Sequence, residues 1–260
     1  MKNSGTKILL IIPAYNEEES ILSTIKTVSS SPYDYIIIND GSTDKTPDIL
    51  DESNANHIDL CFNLGIGGAV QTGYKYASEN NYDIAIQFDA DGQHDINYIE
   101  NLIKPILEHK ANLTIGSCFI DKTLKNKRSS TIRRLGIHFL SGIIKLFSGK
   151  RIYDPTSGFR AADKSIIKKF ADNYSLEYPE PISNFELLKY SKYTIKEVPV
   201  KMNRRKAGHS SIHSWKTIYA AINVFLSILI LNFRRNKKWL IYKLKWPPPP
   251  LSYYYLLLFA

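Results

Sequence analysis

Two carboxylates stand two positions apart in residues 87–95, QFDADGQHD, directly after a short apolar stretch. Asp89 and Asp91 would repel each other unless a cation lay between them or water screened their charge. A Mg²⁺ or Mn²⁺ ion takes a few carboxylate oxygens and fills its other positions with water and substrate phosphate oxygens. Asp89 and Asp91, with Gln93 as a further oxygen donor, therefore predict a metal site. A solvated acidic turn is the alternative, because Asp and Gly are common in turns.

The elements that must position these acids alternate along the chain. Strands are predicted over 7–12, 35–38, 58–62 and 83–88, and helices over 17–30, 47–54, 68–79 and 96–109. Strict alternation of strands and helices requires crossover connections, so we expect an α/β sandwich with a mostly parallel sheet covered on both faces. Ligands of such sheets bind beyond the carboxyl ends of the strands, which is where Asp89 and Asp91 fall.

Local signals refine the ends of these elements. Asn16, followed three positions later by Glu19, predicts a capping box at the first helix. The later elements predicted are strands over 113–119 and 194–200 and a helix over 132–148. Pro199 lies in the last of these strands, and because proline cannot donate to a ladder we place that strand at a sheet edge.

Two polar loops follow the first two predicted strands, PAYNE at 13–17 and INDGSTD at 38–44. Asn16 as a helix cap, Glu17 at a positive helix end and Asp40 as a turn residue would explain each loop locally. Those local roles do not explain why three acid-rich loops meet at one edge of one sheet. We therefore expect the loops to share a ligand.

The glycine-rich loop at 63–73, NLGIGGAVQTG, follows a strand and opens a helix. A dinucleotide fingerprint would need glycines at 65, 67 and 70, but Val70 occupies the third position, which weakens that interpretation. Close approach of the backbone to a ligand remains. The nearby His94 is interpreted as a surface or packing residue rather than a catalytic base.

The net charge of +9 is concentrated in segments 122–134, 201–206 and 234–245, which hold 16 of the 34 Lys and Arg residues. Such clusters suit the phosphates of a nucleotide, a lipid headgroup or a nucleic acid. The two cysteines, Cys61 and Cys118, form neither a disulfide framework nor a metal-ligand spacing, so they are typical of a reducing compartment.

Residues 218–233 carry no formal charge. A helix of that length reaches about 24 Å, short of the roughly 30 Å hydrocarbon core of a bilayer. One narrow polar stripe is predicted along it, formed by Lys216, Asn223, Ser227 and Arg234. Because cations and indoles follow at 234–246, we interpret 216–260 as a membrane-interfacial segment. A buried C-terminal helix with a solvated basic end is the alternative.

Six motifs occur in the order and spacing of glycosyltransferase family 2: PAYNEEES, INDGSTDKT, NLGIGGAVQTG, DADGQHD, DPTSGFRA and RKAGHSS. Over residues 7–215 the chain resembles the branch related to dolichyl-phosphate mannose synthases and bacterial polyprenyl-phosphate glycosyltransferases. The resemblance implies that residues 1–215 form a GT-A domain that binds a nucleotide-diphosphate sugar together with Mg²⁺ or Mn²⁺.

The resemblance also implies roles for individual residues. The nucleotide-sugar-binding set is Pro13, Ala14, Tyr15, Glu17, Asp40, Gly67, Asp89, Ala90, Arg133, Arg134 and Arg205. The metal ligands are Asp89, Asp91 and Gln93, the sugar and acceptor residues are Ser157, Gly158 and Arg160, and the catalytic residues are Asp91, Arg205 and Glu186. One departure is Cys118, which stands where relatives commonly carry arginine. A thiol cannot replace a bidentate donor, so Lys122 substitutes for it, activity is weakened, or the acceptor differs.

The predicted function is metal-dependent, inverting transfer of a hexose from GDP- or UDP-hexose to polyprenyl phosphate. A lipid phosphate is already an anion and needs no protein base, whereas a sugar hydroxyl in a lipid-linked or capsular glycan, the alternative acceptor, would need one, with Glu186 as the candidate. We expect the protein in the cytoplasm, peripheral on the inner face of the cell membrane, with no nucleic-acid partner. A basic nucleic-acid or membrane-binding module is the non-enzymatic alternative.

Overall fold

The computed structural model describes residues 5–120, 131–203 and 214–236, except the side chains at 131–133, 214–218 and 234–236. These residues form one seven-stranded sheet and eight α-helices. The strands are β1 (Ile8–Ala14), β2 (Asp34–Asn39), β3 (His57–Asp59), β4 (Ile84–Gln87), β5 (Leu113–Ser117), β6 (Arg160–Asp163) and β7 (Ile195–Pro199). The helices are α1 (Ile21–Ser29), α2 (Thr46–Glu52), α3 (Gly65–Glu79), α4 (Ile99–Leu107), α5 (Thr131–Ser148), α6 (Lys164–Asp172), α7 (Pro179–Tyr190) and α8 (Ser214–Asn236).

The strand order is β3-β2-β1-β4-β6-β5-β7. β6 runs antiparallel to both of its neighbours, β4 and β5, and the other pairings are parallel. The predicted mostly parallel sheet is therefore confirmed. The chain leaves β1 toward β2 on one side and returns to β4 on the other, which makes the gap above β1 and β4 the topological switch point where ligands of open sheets bind.

Alternate residues of β1 enter two separate cores. Leu9 and Ile11 pack with buried residues of α3, α5, α6, α7 and α8, and Leu10 and Ile12 pack with buried residues of α1, α2 and α4. All four side chains are fully buried. Because both faces of the sheet are covered, the strand is apolar at consecutive positions instead of alternating with polar residues. The α/β/α sandwich is confirmed.

The first helix differs from its prediction. It begins at Ile21, not at residue 17, and Asn16 adopts a left-handed φ of 53°, so the predicted capping box with Glu19 is wrong. The Asn16 side chain is committed elsewhere, because its Oδ1 accepts the N–H of Thr43 at 2.8 Å. Its pairing fixes the loop after β1 to the loop after β2.

Of the strands β6 and β7, only β7 was predicted from the sequence. β6 was not predicted, because four residues beginning with Arg160 are too few to show an alternating pattern. Its antiparallel position between β4 and β5 depends on contacts distant in sequence. β7 lies at the end of the strand order, as its Pro199 predicts.

The last described helix, α8, is longer than the predicted 218–233 and spans 23 residues. Val224 and Ile228 are buried in the core that α5 and α7 share, and the Tyr190 hydroxyl of α7 donates to the Leu231 carbonyl at 3.0 Å. Within the described ranges, no helix combines the length and apolarity needed to cross a membrane.

Candidate active site

A cleft of about 490 Å³ opens beyond the carboxyl ends of β1, β2 and β4. It lies at the switch point of the sheet, where the sequence places a ligand. The lining residues come from separate loops and helix starts: Pro13, Ala14, Tyr15, Glu17, Asp40, Asn63, Gly65, Ile66, Ala69, Gln87, Asp89, Ala90, Asp91, Thr156, Gly158 and Glu180. The strand topology therefore gathers the acid-rich loops into one cavity.

The lining of this cleft is strongly acidic. The carboxylates are Glu17, Asp40, Asp89, Asp91 and Glu180, and none of the described lining residues is a lysine or an arginine. Like charges disfavour one another's ionised form at short range, and a phosphate brought into the same cavity would be repelled. An anionic ligand therefore fits the cleft only together with cations.

Asp40, the residue after β2, is hydrogen-bonded to the start of α3. Its side chain is buried, and one carboxylate oxygen accepts the N–H of Leu64 at 2.7 Å. Burial raises the pKa of Asp40, and the backbone N–H groups of Leu64 and Gly65 oppose that shift. The preceding turn needs a glycine, since a Cβ on Gly41, at a φ of +66°, would lie 2.8 Å from the nitrogen of Asn63.

Apolar side chains stand beside Asp40 at the cleft edge. Tyr15 is 47% exposed and Ile66 is 44% exposed, and both line the cavity together with Pro13. An exposed aromatic ring and aliphatic groups in one cavity suit a flat heterocycle, because bases stack on aromatic faces. This end of the cleft has the chemistry of a nucleoside site.

The two aspartates of the DAD sequence both reach the cavity. Asp91 is buried, and its Oδ1 accepts the N–H of Gln93 at 2.9 Å, which fixes its orientation. The Gln93 carbonyl accepts the N–H of Asn203 at 2.9 Å, and Gln93 is not among the lining residues. Asp89 lies two residues after Gln87, the last residue of β4, and its side chain is 34% exposed.

This donor set fits a hard divalent cation. The described ranges contain no group of three His, Cys, Asp or Glu residues arranged around a metal. Two carboxylates suit an ion that keeps most of its positions for water and substrate phosphate, as Mg²⁺ does in phosphate-binding sites. Asp89 and Asp91 are the residues that would hold it.

His94 positions Asp89. Its Nδ1 accepts the N–H of Asp89 at 2.9 Å, and its Nε2 lies 3.4 Å from Asp89 Oδ2. In a neutral ring the proton is therefore on Nε2, facing the carboxylate. The ring is buried and stacks on Phe159 with centroids 4.6 Å apart. His94 is therefore a packing residue, as interpreted, and it also orients Asp89 of the cleft.

The DPTSGFRA segment crosses the cleft beside Asp89. A Cβ on Gly158 would lie 2.9 Å from Gln87 Nε2 and 3.4 Å from Asp89 Oδ1, so a side chain there would crowd both groups. Ser157 is buried and its hydroxyl donates to the Gly116 carbonyl at 2.6 Å. Gly158 lines the cleft, and Ser157 fixes the segment to β5.

Arg160 is fully buried and does not line the cleft. Its guanidinium donates to the Ser183 hydroxyl and to Asn184 Oδ1, both at 3.0 Å, and to the Glu180 carbonyl at 3.4 Å. These bonds hold the first turns of α7 against β6. The contacts of Arg160 therefore indicate that it fixes α7 in place.

Two further predicted residues do not line the cleft. Glu186 of α7 does not line the cleft; burial raises the pKa of its carboxyl, and Lys169 opposes that shift. Gly67 of α3 is buried, and a Cβ there would lie 2.3 Å from the Ser175 carbonyl oxygen. Its glycine is explained by close packing of α3 on the chain before α7.

Cys118 is half-buried, and its Sγ lies 4.0 Å from Asp154 Oδ2. The N–H groups of Tyr153 and Asp154 donate to the Glu197 carboxylate at 2.8 Å each. Burial raises the pKa of Glu197, which these two donors oppose. The expected arginine position is thus next to an acid-anchored loop.

The predicted cations fall mostly beyond the described part of the chain. Arg205, Lys122 and the side chain of Arg133 lie outside the described residues, and so does the tail at 237–260. Arg134 is half-buried at the start of α5. Five lining residues, Asn63, Gly65, Ile66, Ala69 and Thr156, fall within the six motifs but were not named as site residues. Two more lie outside those motifs: Gln87, the last residue of β4, and Glu180 in the first turn of α7. The acidic helix start and the strand end gave no functional signal of their own.

Comparisons with known proteins agree with this geometry. The family model "Glycosyl transferase family 2" matches residues 9–173. A UDP-N-acetylglucosamine–dolichyl-phosphate N-acetylglucosaminyltransferase of Methanococcus voltae is 36% identical over 213 residues, covering 75% of this chain and 84% of that protein. An undecaprenyl-phosphate mannosyltransferase of Micrococcus luteus is 26% identical, covering 84% of this chain and 92% of that protein.

The solved structures give the same fold. Glucosyl-3-phosphoglycerate synthase from Mycobacterium tuberculosis, in complex with Mn²⁺, UDP and phosphoglyceric acid, superposes with a TM-score of 0.64 at 19% identity. The match covers 88% of this chain and 78% of that one. The predicted GT-A fold is confirmed, and the non-enzymatic alternative is set aside. The chain is a member of glycosyltransferase family 2.

Proposed function

We propose that the protein transfers a hexose from a GDP- or UDP-hexose to polyprenyl phosphate, with inversion at the anomeric carbon and with Mg²⁺ or Mn²⁺ as cofactor. The observation that carries this proposal is the pair Asp89 and Asp91 at the switch point of the sheet, in a cleft lined by five carboxylates. A nucleotide diphosphate is too negative to enter that cavity alone. A divalent ion removes the conflict.

The nucleoside belongs at the end of the cleft formed by Tyr15, Ile66 and Asp40, where a flat ring meets apolar groups and a fixed carboxylate. Asp89 and Asp91 would hold the ion, which when bound neutralises the charge that grows on the departing diphosphate. Arg134 and Arg205 are proposed as further phosphate contacts because guanidinium groups donate in pairs to phosphate oxygens. A single in-line displacement at the anomeric carbon inverts its configuration.

We choose polyprenyl phosphate as the acceptor because a phosphate oxygen needs no general base from the protein. The anomeric carbon bonds to an acceptor oxygen as its bond to the diphosphate breaks, and a phosphate oxygen is already deprotonated near neutral pH. Glu186, the base expected for a hydroxyl acceptor, lies outside the cleft. The two relatives named above, from Methanococcus voltae and Micrococcus luteus, carry dolichyl phosphate and undecaprenyl phosphate in their names.

A hydroxyl acceptor is the second candidate, and one observation favours it. Glu180 does line the cleft, and burial raises its pKa, with the charge of Arg160 opposing, as suits a carboxylate that takes a proton. A poly-β-1,6-N-acetyl-D-glucosamine synthase of Staphylococcus epidermidis is 33% identical over 47% of this chain, though over only 30% of that protein. A lipid-linked or capsular glycan would be the substrate.

The membrane surface enters the proposal through α5 and α8. Large apolar side chains are exposed on both helices: Leu135, Phe139 and Leu146 on α5, and Tyr219, Ile222, Leu226, Ile230 and Phe233 on α8. Their spacings of three, four, seven or eight residues align them in one stripe on each helix. The stripe of α8 lies opposite Val224 and Ile228, which face the protein core. Both sides of α8 are thus apolar.

We infer that this exposed face rests on an anionic leaflet. Segments 122–134 and 234–245, adjoining α5 and α8 in the sequence, hold six Lys or Arg residues each. Basic residues beside an apolar surface favour anionic lipid headgroups. In this proposal residues 1–215 form the catalytic domain, residues 216–260 the interfacial segment, and the protein works on the cytoplasmic face of the membrane.

Incubation with radiolabelled UDP- or GDP-hexose, Mn²⁺ and polyprenyl phosphate in vesicles tests the proposal. Label should appear in the organic phase on extraction, and EDTA should prevent it. Label found only in a water-soluble or polymeric product would support the hydroxyl acceptor. If no hexose moved from UDP- or GDP-hexose to polyprenyl phosphate or to a glycan, the proposed function would be overturned.

A further inference from the structure

The floor of the cleft is built by Gln87 and Glu180. Gln87 is 1% exposed, and its Nε2 donates to Glu180 Oε1 at 3.3 Å. Glu180 is partly accessible and opens on the cavity, as does Gln87. Two hydrogen-bonded polar side chains thus line the cavity, and Gln87 lies beside Gly158.

Hydrogen-bonding capacity at this floor is left over. Four buried side-chain atoms of the described residues have no hydrogen-bond partner: Tyr74 OH, Gln87 Oε1, Arg160 Nε and Tyr174 OH. The rings of Tyr74 and Tyr174 pack edge to face with centroids 5.6 Å apart in the hydrophobic core, and the Tyr174 hydroxyl interacts with the Arg160 side chain. Buried polar atoms normally have partners. Of these four residues only Gln87 lines the cleft, so its Oε1 is the acceptor that a ligand there could use.

The order of strands gives the floor its place along the donor. Asp40 follows β2, Tyr15 follows β1, Asp89 follows β4, and Gly158 precedes β6, and these strands are neighbours in that order. With the nucleoside at Asp40 and the diphosphate at the aspartates, the group beyond the diphosphate lies toward β6. Glu180 and Gln87 are on that side.

We propose that Glu180 and Gln87 form the sugar subsite of the donor, with the Glu180 carboxylate accepting hydrogen bonds from hydroxyls of the transferred hexose. This inference rests on the proposed function and assigns to the sugar two residues that were not predicted as site residues. Carboxylates accept strong hydrogen bonds from sugar hydroxyl groups. The unpartnered Gln87 Oε1 adds a second acceptor.

Arg160 is a positioning residue in this arrangement. It holds the Glu180 carbonyl, Ser183 and Asn184, so the first turn of α7 cannot move relative to β6. Asn184 Nδ2 also donates to the Pro155 carbonyl at 3.2 Å, which ties α7 to the loop before Gly158. Glu180 is therefore fixed before the ligand arrives, which reduces the entropy lost on binding.

Titration calorimetry with Mn²⁺ tests the sugar subsite. The wild-type chain, Glu180→Gln and the control Glu177→Gln are each titrated with five ligands: UDP, UDP-glucose, UDP-N-acetylglucosamine, GDP and GDP-mannose. Glu180→Gln keeps the shape of the side chain and the acceptor for Gln87. It should weaken binding of the preferred sugar nucleotide roughly 10- to 100-fold and leave the matching nucleoside diphosphate unchanged. Glu177→Gln, an exposed acid three positions before Glu180 that does not line the cleft, should change neither.

The alternatives give different results. A Glu180→Gln variant whose turnover falls while its affinity for the sugar nucleotide stays at the wild-type value would overturn the sugar subsite and make Glu180 a base. Equal losses for nucleoside diphosphate and sugar nucleotide, with a lowered melting temperature, would make the residue merely structural. If the wild-type chain bound no nucleotide at all, the proposed function would fail first, and this inference with it.

Discussion

The cleft and the α5–α8 face, meaning the exposed apolar side chains of α5 and α8 from Leu135 to Phe233, are built in opposite ways. In the cleft, the loops after the strands are fixed to one another, by Asn16 to Thr43, by Glu17 N–H to Thr46 Oγ1 at 2.9 Å, and by Leu64 to Asp40. On the α5–α8 face, apolar side chains stand exposed; Leu146 is 76% exposed and Tyr219 is 64% exposed. The cleft presents fixed, directional polar groups, whereas the α5–α8 face presents exposed apolar surface area.

The difference follows from what each region is proposed to bind. A sugar nucleotide is small and highly charged, so its binding depends on the placement of each group and on prior fixing of that group. A membrane surface is large and non-directional, and apolar area contributes in proportion to what is removed from water. Changes in the cleft should therefore act sharply and singly, and changes on the helix face gradually.

The sharpest test of the cleft is Asp91→Asn. Removing one carboxylate from the pair should lower turnover by roughly a thousandfold, because the ion that stabilises the leaving diphosphate loses a ligand. The melting temperature should hold or rise, since a carboxylate is removed from an acidic cluster. Turnover with saturating Mn²⁺ measures the effect, and Glu79→Gln, an exposed acid at the distant end of α3, serves as the control. Unchanged turnover in Asp91→Asn would refute the metal assignment.

The orientation of Asp89 can be loosened through its neighbour. His94→Phe keeps the ring against Phe159 but removes the acceptor for the Asp89 N–H and the Nε2 that faces Asp89 Oδ2. Residues that orient ligands typically change metal affinity by about 10- to 100-fold when replaced. A manganese titration of donor binding should show a shift of that size. If only the maximal rate fell, His94 would have a different role.

On the helix face, Ile230→Glu should weaken binding to anionic vesicles by about tenfold, since a charge replaces apolar area at the interface. Leu22→Glu on α1 is the matched control, because Leu22 is 44% exposed on the opposite face of the sheet. Cosedimentation with vesicles gives both values, and nucleotide binding should be the same in both variants. Equal vesicle binding by the two variants would remove the α5–α8 face from the membrane proposal.

The smallest expected effect concerns stability. Burial raises the pKa of Glu180, so protons bind it more tightly in the folded than in the unfolded chain. Its favourable contribution is present below the unfolded pKa and is lost as pH rises through the folded pKa. Ligand-free Glu180→Gln should therefore melt higher than wild type at about pH 7.5, and the gap should close toward about pH 4. A gap independent of pH would contradict this account of Glu180.

The sequence was most informative where short range decides structure. The apolar runs of β1, β2 and β4 and their polar ends follow from periodicity, and the two aspartates lie in the cleft as that pattern predicts. The capping box failed because the Asn16 side chain bonds to a loop 27 residues away. Glu180 and Arg160 meet through the packing of α7 on β6, which no local pattern encodes. The tail at 237–260 lies outside the described residues.

The central claim is that Asp89 and Asp91 hold a divalent ion that binds the diphosphate of a sugar nucleotide. Thermal unfolding of the wild-type chain with Mn²⁺ and a UDP- or GDP-hexose tests it most directly, because a ligand that binds only the folded state raises the melting temperature. The account predicts a rise that needs metal and nucleotide together, that EDTA reverses, and that Asp91→Asn lacks. A rise that persists in EDTA, or is equal in Asp91→Asn, would contradict it.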